Sequence, residues 1–242
     1  DPMAPTSLII RRDPGPDIPI ADSSVTRRHA QVELLDGGRL FLETVLTGDL
    51  ARDDGPAFSG NDENSYHVLV VKDGNCDTLV DGFMIRGANA DDGANGGAFI
   101  ADTSYTSVRN CIFTSNVGPH QGSAFRIAGQ SYAIGASSMS NCLVFSNMGD
   151  AIWVGNGYLT IVRSTIANNI GRGFRNESSR RPRPSLSNSI VWGNMIEQIG
   201  GQPVIVSYSD VEGGYVGVNN IDLDPLFEGP AGADFRLSGD SP

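Results

Sequence analysis

The sequence predicts an all-β protein that folds as a right-handed parallel β-helix, with a further β segment forming a cap at its N-terminus. The first observation behind this prediction is a short motif that occurs six times, at residues 82–87, 110–116, 141–147, 163–169, 188–194 and 208–214. Successive copies begin 28, 31, 22, 25 and 20 residues apart, and repeats of this length are typical of stacked units. The second observation is that no long 3.6-residue apolar period occurs, which predicts almost no α-helix.

Each copy of the motif alternates between two faces, because neighbouring residues of a strand point in opposite directions. One face carries small or apolar residues at two positions per copy and is predicted to line the interior. These positions are Phe83, Cys111, Cys142, Ser164, Ser189 and Ser209, followed by Ile85, Phe113, Val144, Ile166, Val191 and Val211. A second strand follows a glycine in four repeats, with Phe99, Phe125, Ile152 and Phe174 predicted to point inward. A third strand precedes the motif at residues 78–80, 107–109 and 159–162.

One asparagine recurs at the same place between the first and second strands of four repeats, as Asn116, Asn147, Asn169 and Asn194. Stacked asparagine side chains hydrogen-bond from one layer to the next in cross-β structures. We therefore expect these four residues to form an asparagine ladder. After Asp210 the repeat weakens, and residues 213–242 are predicted to form a terminal coil and tail.

The repeated motif and the segments 188–194 and 220–227 resemble the bacterial right-handed β-helix repeat proteins over residues 44–242. That family includes polysaccharide lyases, sugar hydrolases and adhesins, so the resemblance implies the fold more strongly than any one activity. We expect a secreted or envelope-associated protein that binds an acidic polysaccharide, either with or without cleaving it as a lyase or glycoside hydrolase. The alternative is a structural or adhesive surface module without catalysis.

Residues 1–43 lie outside the repeat and resemble the middle of a forkhead-associated domain, a phosphothreonine-binding β-sandwich. Arg12 matches the phosphate-binding arginine of that family, Thr26 replaces its serine, and Arg28 completes the local motif. Arg11 stands where glycine is usual, and the expected loop after Glu43 is missing. Because so short a segment buries little surface alone, we expect it to cap the end of the solenoid. A phosphothreonine-peptide site and a gene-fusion remnant are the alternatives.

The composition excludes several classes of protein. A formal net charge of −11 disfavours a nucleic-acid binder, which needs a basic surface. No apolar run reaches the roughly 18 residues of a membrane span, and no signal peptide is recognisable, although one removed before Asp1 would fit an extracellular or envelope location. Three cysteines exclude a complete disulfide framework. Cys111 and Cys142 are expected to stack as buried thiols, with a disulfide between adjacent turns as the alternative.

Ligand-binding side chains of a β-helix should point outward, because the interior is packed. Alternation places Arg126, Trp153 and Arg175 in one outward column of the second strand. Arg86, Phe145 and Trp192 fall in an outward column of the first strand. Aromatic rings with neighbouring arginines can stack on sugars and pair with carboxylates, so all six are predicted to bind substrate. The alternative is that a loop folds back and covers the face.

Candidate catalytic residues are few. His120 and Asp150 lie on loops that enter the outward column of the second strand, and we consider them as an acid–base pair. Asp210 and Glu212, two apart on one strand, would lie roughly 7 Å apart along it. That separation falls within the range used by glycoside hydrolases.

Two polar loops carry oxygen ligands that suit Ca²⁺. Asp91 and Asp92 lie on a glycine-rich loop at residues 89–96, and the loop at residues 51–65 is also acidic. Neither loop matches a complete calcium-binding motif. Solvated turns rich in Asp, Asn and Gly are the alternative.

Overall fold

The computed structural model describes residues 31–35, 39–72, 78–90, 96–102, 105–118, 121–128 and 137–242, with side chains from Thr44 onward. The chain forms a right-handed parallel β-helix, as the repeat predicts. Three parallel sheets line it, each built from one short strand per coil. Apart from two short 3₁₀ turns, at Pro56–Phe58 and Pro230–Gly232, no helix occurs in the described part of the chain.

Sheet 1 contains the repeated motif and has eight strands. They are β1 (Gln31–Leu35), β2 (Arg39–Thr47), β5 (Phe83–Arg86), β8 (Ile112–Thr114), β11 (Leu143–Phe145), β14 (Thr165–Ala167), β17 (Ile190–Trp192) and β20 (Asp210–Val211). β1 pairs antiparallel with β2, and all the other pairs are parallel. β1 and β2 therefore add an antiparallel pair to the edge of sheet 1 beside β5, while the assignment of residues 1–43 as a cap stays a prediction.

Sheet 2 contains the predicted second strands, each of which follows the asparagine position of its coil. They are β3 (Leu69–Lys72), β6 (Phe99–Asp102), β9 (Phe125–Ala128), β12 (Ile152–Val154), β15 (Arg172–Asn176) and β18 (Glu197–Gly201).

Sheet 3 contains the predicted third strands together with several that the pattern did not reveal. They are β4 (Thr78–Asp81), β7 (Thr106–Arg109), β10 (Ser137–Ser140), β13 (Leu159–Val162), β16 (Ser185–Ser187), β19 (Ile205–Ser207) and β21 (Gly217–Val218). A separate antiparallel hairpin of β22 (Phe227–Gly229) and β23 (Asp234–Leu237) ends the chain. The prediction of a terminal coil and tail for residues 213–242 therefore missed this hairpin.

The core is a column of apolar side chains in register from coil to coil. Val144 pairs with Phe113 on one side and Ile166 on the other, and all three are fully buried. Phe125 pairs with both Phe99 and Ile152 in sheet 2. The predicted inward positions of sheets 1 and 2 are thus confirmed, except that Phe83 in the first complete coil is only partly buried.

The asparagine ladder is present, and its members are buried. Nδ2 of each residue donates to Oδ1 of the next, at 2.9 Å from Asn116 to Asn147, 2.9 Å from Asn147 to Asn169 and 2.8 Å from Asn169 to Asn194. The backbone N–H of each donor residue points to the same acceptor oxygen. Beyond Asn194 the ladder continues to Oε1 of Gln198, at 2.7 Å from Asn194 Nδ2.

A second ladder runs through the other small inward column. The backbone N–H of Cys142 donates to Ser164 Oγ, that of Ser164 to Ser189 Oγ, and that of Ser189 to Ser209 Oγ, at 3.1–3.2 Å. Cys111 and Cys142 occupy the first positions of this column as free, buried thiols. The expected thiol stack is therefore present, and the alternative disulfide is not formed.

Candidate functional site

Arg126, Trp153 and Arg175 lie side by side on the outer face of sheet 2. Trp153 of β12 pairs with Arg126 of β9 on one side and with Arg175 of β15 on the other. All three side chains are partly exposed. The alternation of the second strand thus placed this column in the right register, and we call these three residues the outer strip.

Arg126 and Trp153 form a cation–π pair within the outer strip. The guanidinium carbon of Arg126 lies over the indole, 5.4 Å from the ring centroid, and its Nε donates to Gln121 Oε1 at 3.0 Å. Burial lowers the pKa of Arg126, while the negative charge of Asp102 opposes that effect. Among the described residues, no carboxylate forms a salt bridge with Arg126. Within that part of the chain, no ion pair therefore neutralises the Arg126 charge.

Two glycines make room for the side chains of Trp153 and Arg126, because a Cβ at either position would occupy the same space. A Cβ on Gly155 would overlap the six-membered ring of Trp153, so the indole lies along its own strand over that glycine. A Cβ on Gly96 would meet the aliphatic stem of Arg126. Both side chains are therefore held against backbone by close packing, which lowers the conformational entropy that a ligand would have to remove.

Asp150, a candidate acid–base residue, is held by two arginines. Its Oδ1 lies 3.4 Å from Arg172 Nη1, and its Oδ2 lies 3.1 Å from Arg175 Nη1. The backbone N–H of Arg172 also donates to Oδ1, at 3.1 Å. Because both oxygens of this buried carboxylate are occupied, Asp150 anchors the arginines and has no oxygen turned to a ligand.

The same arginines also reach outward to two exposed carboxylates. Arg172 Nε donates to Glu197 Oε2 at 3.1 Å, and Arg175 Nε donates to Glu177 Oε1 at 2.7 Å. Arg172 was not among the predicted site residues, although it follows the glycine that marks the start of each second strand. Arg175 is thus neutralised by its neighbours, unlike Arg126.

Arg86, Phe145 and Trp192 belong to sheet 1 and so lie apart from the outer strip. Phe145 packs against Phe235 of the terminal hairpin, with ring centroids 5.1 Å apart. A segment that folds back over this face was the alternative stated above, and at Phe145 the hairpin does so. Trp192 is half-buried beside Ala167 of the preceding coil, whereas Arg86 is exposed near the N-terminal end.

Asp210 and Glu212 have separate surroundings. Asp210 is only 7% exposed and accepts the backbone N–H of Leu223 at 3.2 Å. Burial raises the pKa of its carboxyl. Glu212 Oε2 accepts from Gln198 Nε2 at 2.7 Å and from the backbone N–H of Gly193 at 2.8 Å. Glu212 therefore closes the asparagine ladder at its C-terminal end.

Six other predicted residues fall outside the described part of the chain. These are the catalytic candidate His120, the calcium candidates Asp91 and Asp92, and the phosphopeptide residues Arg12, Thr26 and Arg28.

A cavity of about 770 Å³ lies at the N-terminal end of sheet 1, beside the loop at residues 48–65. Arg86, Asp49, Asp54 and Asn64 line it. Sequence reasoning placed Arg86 on this face but did not include Asp49 or Asn64, because neither belongs to a visible repeat position.

Within the described residues there is no helix with the length and apolar character needed to cross a membrane. Comparisons with models of known protein families, with curated proteins and with solved structures found no match. The likeness to β-helix repeat proteins therefore rests on the repeated motif and on the parallel three-sheet solenoid that it forms.

Proposed function

We propose that this β-helix is a carbohydrate-binding protein that recognises an acidic glycan through Arg126 and Trp153. The observation that carries the proposal is the outward-facing cation–π pair on sheet 2, in which Arg126 has no salt-bridged carboxylate among the described residues. A guanidinium can form two parallel hydrogen bonds with a uronate carboxylate, and an indole can pack against the C–H groups of a sugar ring.

The spacing of the outer strip suits an extended oligosaccharide. Its three residues occupy successive strands of a parallel sheet, so the ends of the strip lie about 10 Å apart. That length corresponds to about two sugar units. Within the strip, Arg126 and Trp153 supply the binding contacts, whereas Arg175 is held by Asp150 and Glu177.

The described candidate catalytic carboxylates have other roles, which favours binding without cleavage. Both oxygens of Asp150 are engaged by the guanidinium groups of Arg172 and Arg175, so its carboxylate holds the arginines in place. Asp210 is buried under the following segment, and Glu212 holds the end of the asparagine ladder. We therefore propose a binding module in preference to a lyase or hydrolase.

The net charge of −11 opposes a long polyanion, because like charges repel over roughly a Debye length, about 10 Å at 0.1 M salt. A short uronate oligomer brings fewer of its charges near the acidic surface. We therefore expect oligomers of two to four uronates to bind better per site than the polymer at low salt, with the difference shrinking as salt rises.

Titration calorimetry with uronate oligomers tests the proposal. Trp153→Ala removes the ring and Arg126→Ala removes the charge, and each should weaken binding about tenfold or more, since each contact contributes about 1–2 kcal/mol. Arg109→Ala, at an exposed arginine of β7 on sheet 3, is the matched control and should bind as the parent does. Reducing-end and unsaturated-product assays should show no turnover.

Two results would overturn the proposal. One is a parent protein that binds no uronate oligomer, which would favour a purely structural or adhesive module. The other is normal binding by both outer-strip variants, which would place any glycan site elsewhere on the chain.

A further inference from the structure

The loop at residues 48–65 leaves the solenoid at the position where later coils carry the asparagine ladder. Gly48 N donates to Arg86 O, and Gly87 N donates to Ser115 O, so Asp49, Ala88 and Asn116 fall in one column. Asp49 is 6% exposed. A buried carboxylate therefore stands at the start of the column in which the other coils place a neutral amide or methyl group.

Two further carboxylates converge on Asp49. Oxygen atoms of Asp49, Asp53 and Glu63 all lie within 4.8 Å of one another. Two ligands of Ca²⁺, each about 2.4 Å from the ion, can be separated by at most about 4.8 Å, so each pair of these carboxylates meets the limit that two ligands of one ion must satisfy. No lysine or arginine forms a salt bridge with any of the three within the described residues.

Backbone hydrogen bonds fix two of these carboxylates in place. Asp49 Oδ1 accepts the N–H of Arg52 at 2.5 Å and that of Asp53 at 3.3 Å. Glu63 Oε1 accepts the N–H of Ala51 at 3.0 Å. Within the described part of the chain, no hydrogen-bond donor reaches the second oxygen of either carboxylate, so both retain an oxygen for a ligand.

An independent sign of a missing partner comes from Asn64, which follows Glu63 and lines the same cavity as Asp49. Asn64 is 6% exposed, and its Oδ1 is buried with no hydrogen-bond partner. Its Nδ2 donates to both oxygens of Asp54, at 3.0 and 3.1 Å. The amide orientation is thereby fixed, and Oδ1 is turned away from Asp54. A buried amide oxygen without a donor is costly, and a cation held by the adjoining carboxylates of the same loop is a partner that would satisfy it.

We propose that Asp49, Asp53, Glu63 and Asn64 form a Ca²⁺ site that ties the loop at residues 48–65 to the first coil of the β-helix. The site is separate from the outer strip and independent of the proposed glycan binding. An all-oxygen ligand set of carboxylates and an amide carbonyl suits a hard cation. Ca²⁺ accepts irregular coordination at 2.3–2.6 Å, whereas Mg²⁺ demands near-octahedral geometry at about 2.1 Å, which favours Ca²⁺ on a loop without regular secondary structure.

The local charge agrees with this assignment. The carboxylates of Asp49, Asp53 and Glu63 lie within 4.8 Å of one another, and Asp54 adds a further carboxylate to the same loop. A bound dication would offset the repulsion among these groups.

The experiment is a calorimetric titration of the full chain with CaCl₂ after treatment with a chelator, together with thermal unfolding at 0 and 10 mM Ca²⁺. We expect one site and a rise of about 5 °C in the unfolding midpoint, the order expected from saturating a site of submillimolar affinity. Asp53→Asn combined with Glu63→Gln changes only exposed residues and should remove both effects. Asp62→Asn, an exposed carboxylate of the same loop outside the cluster, is the matched control and should keep them.

The sequence also suggests Ca²⁺ binding at Asp91 and Asp92. An Asp91→Asn/Asp92→Asn variant distinguishes that hypothesis from the site proposed here. Retention of Ca²⁺ binding by this variant supports the site proposed here, and its loss contradicts it. The proposal is also wrong if the parent shows neither heat nor a midpoint shift with Ca²⁺, or if the Asp53→Asn/Glu63→Gln variant binds Ca²⁺ as the parent does.

Discussion

Replacing Asn147 by alanine removes the middle of the asparagine ladder. Oδ1 of Asn147 accepts from the backbone N–H of Asn116 at 3.1 Å and from its Nδ2 at 2.9 Å. Nδ2 of Asn147 donates to Asn169 Oδ1 and to the carbonyls of Phe113 and Phe145, at 2.9–3.1 Å. The side chain is fully buried.

The loss of stability depends on which of these groups still have another hydrogen-bond partner after the substitution. Asn169 Oδ1 still accepts the backbone N–H of residue 147, and Asn116 Nδ2 still donates to Ile85 O. The backbone N–H of Asn116 has no other acceptor among the residues that the structure describes, and leaving it buried costs about 1–3 kcal/mol. The void and the other lost bonds add about 1 kcal/mol. We expect a loss of about 2–4 kcal/mol, which lowers the unfolding midpoint by about 8 °C.

The assay is thermal and urea unfolding followed by circular dichroism in the β-sheet region. Asn156→Ala is the matched control, because Asn156 is exposed and its Oδ1 accepts a hydrogen bond from Arg180 Nε at the surface. The control should change the stability by less than about 1 kcal/mol. Equal midpoints for Asn147→Ala and Asn156→Ala would refute the idea that the ladder stabilises the stack.

Three further predictions concern single sites. Gly155→Ala should displace the indole of Trp153, changing tryptophan fluorescence and weakening uronate binding about tenfold; an unchanged emission spectrum would contradict the packing. Burial raises the pKa of Asp210, so its stability contribution is lost as pH rises through the folded pKa. Asp210→Asn should therefore raise the urea midpoint at pH 7 and lose that advantage near pH 3, whereas a pH-independent effect would exclude this cause. Phe235→Ala should uncover Phe145 and increase the binding of a hydrophobic dye, at a cost of about 1–3 kcal/mol; unchanged dye binding would mean that the hairpin does not cover this face.

The repeat predicted the fold because the inward positions of sheets 1 and 2 recur with recognisable residue types. Phe113, Val144 and Ile166 share one phase of the motif and one buried column. Sheet 3 was harder to predict, since Ser137–Ser140 and Ser185–Ser187 carry mostly hydroxyl side chains and show little apolar alternation. Such strands are specified by their neighbours in the stack more than by their own propensity.

The candidate site was predictable in register but not in its contacts. Alternation after a glycine placed Trp153 between Arg126 and Arg175, as the structure has it. The ion pairs of Asp150 depend on Arg172, one coil later, and no local pattern shows which arginine will reach back. The cover over Phe145 depends on a hairpin about 90 residues further along the chain, and a contact of that range leaves no trace in a short motif.

The asparagine ladder has a direction. Each rung donates to the rung that follows it in the chain and accepts from the one before, and Gln198 with Glu212 completes the last rung from the C-terminal side. During synthesis, a newly emerged coil therefore supplies the acceptor that the previous coil lacks. Only one rung at the growing edge has unmet donors at any moment. The geometry thus suits assembly coil by coil in the order in which the ribosome delivers the chain, as expected for an array whose units contact only their neighbours.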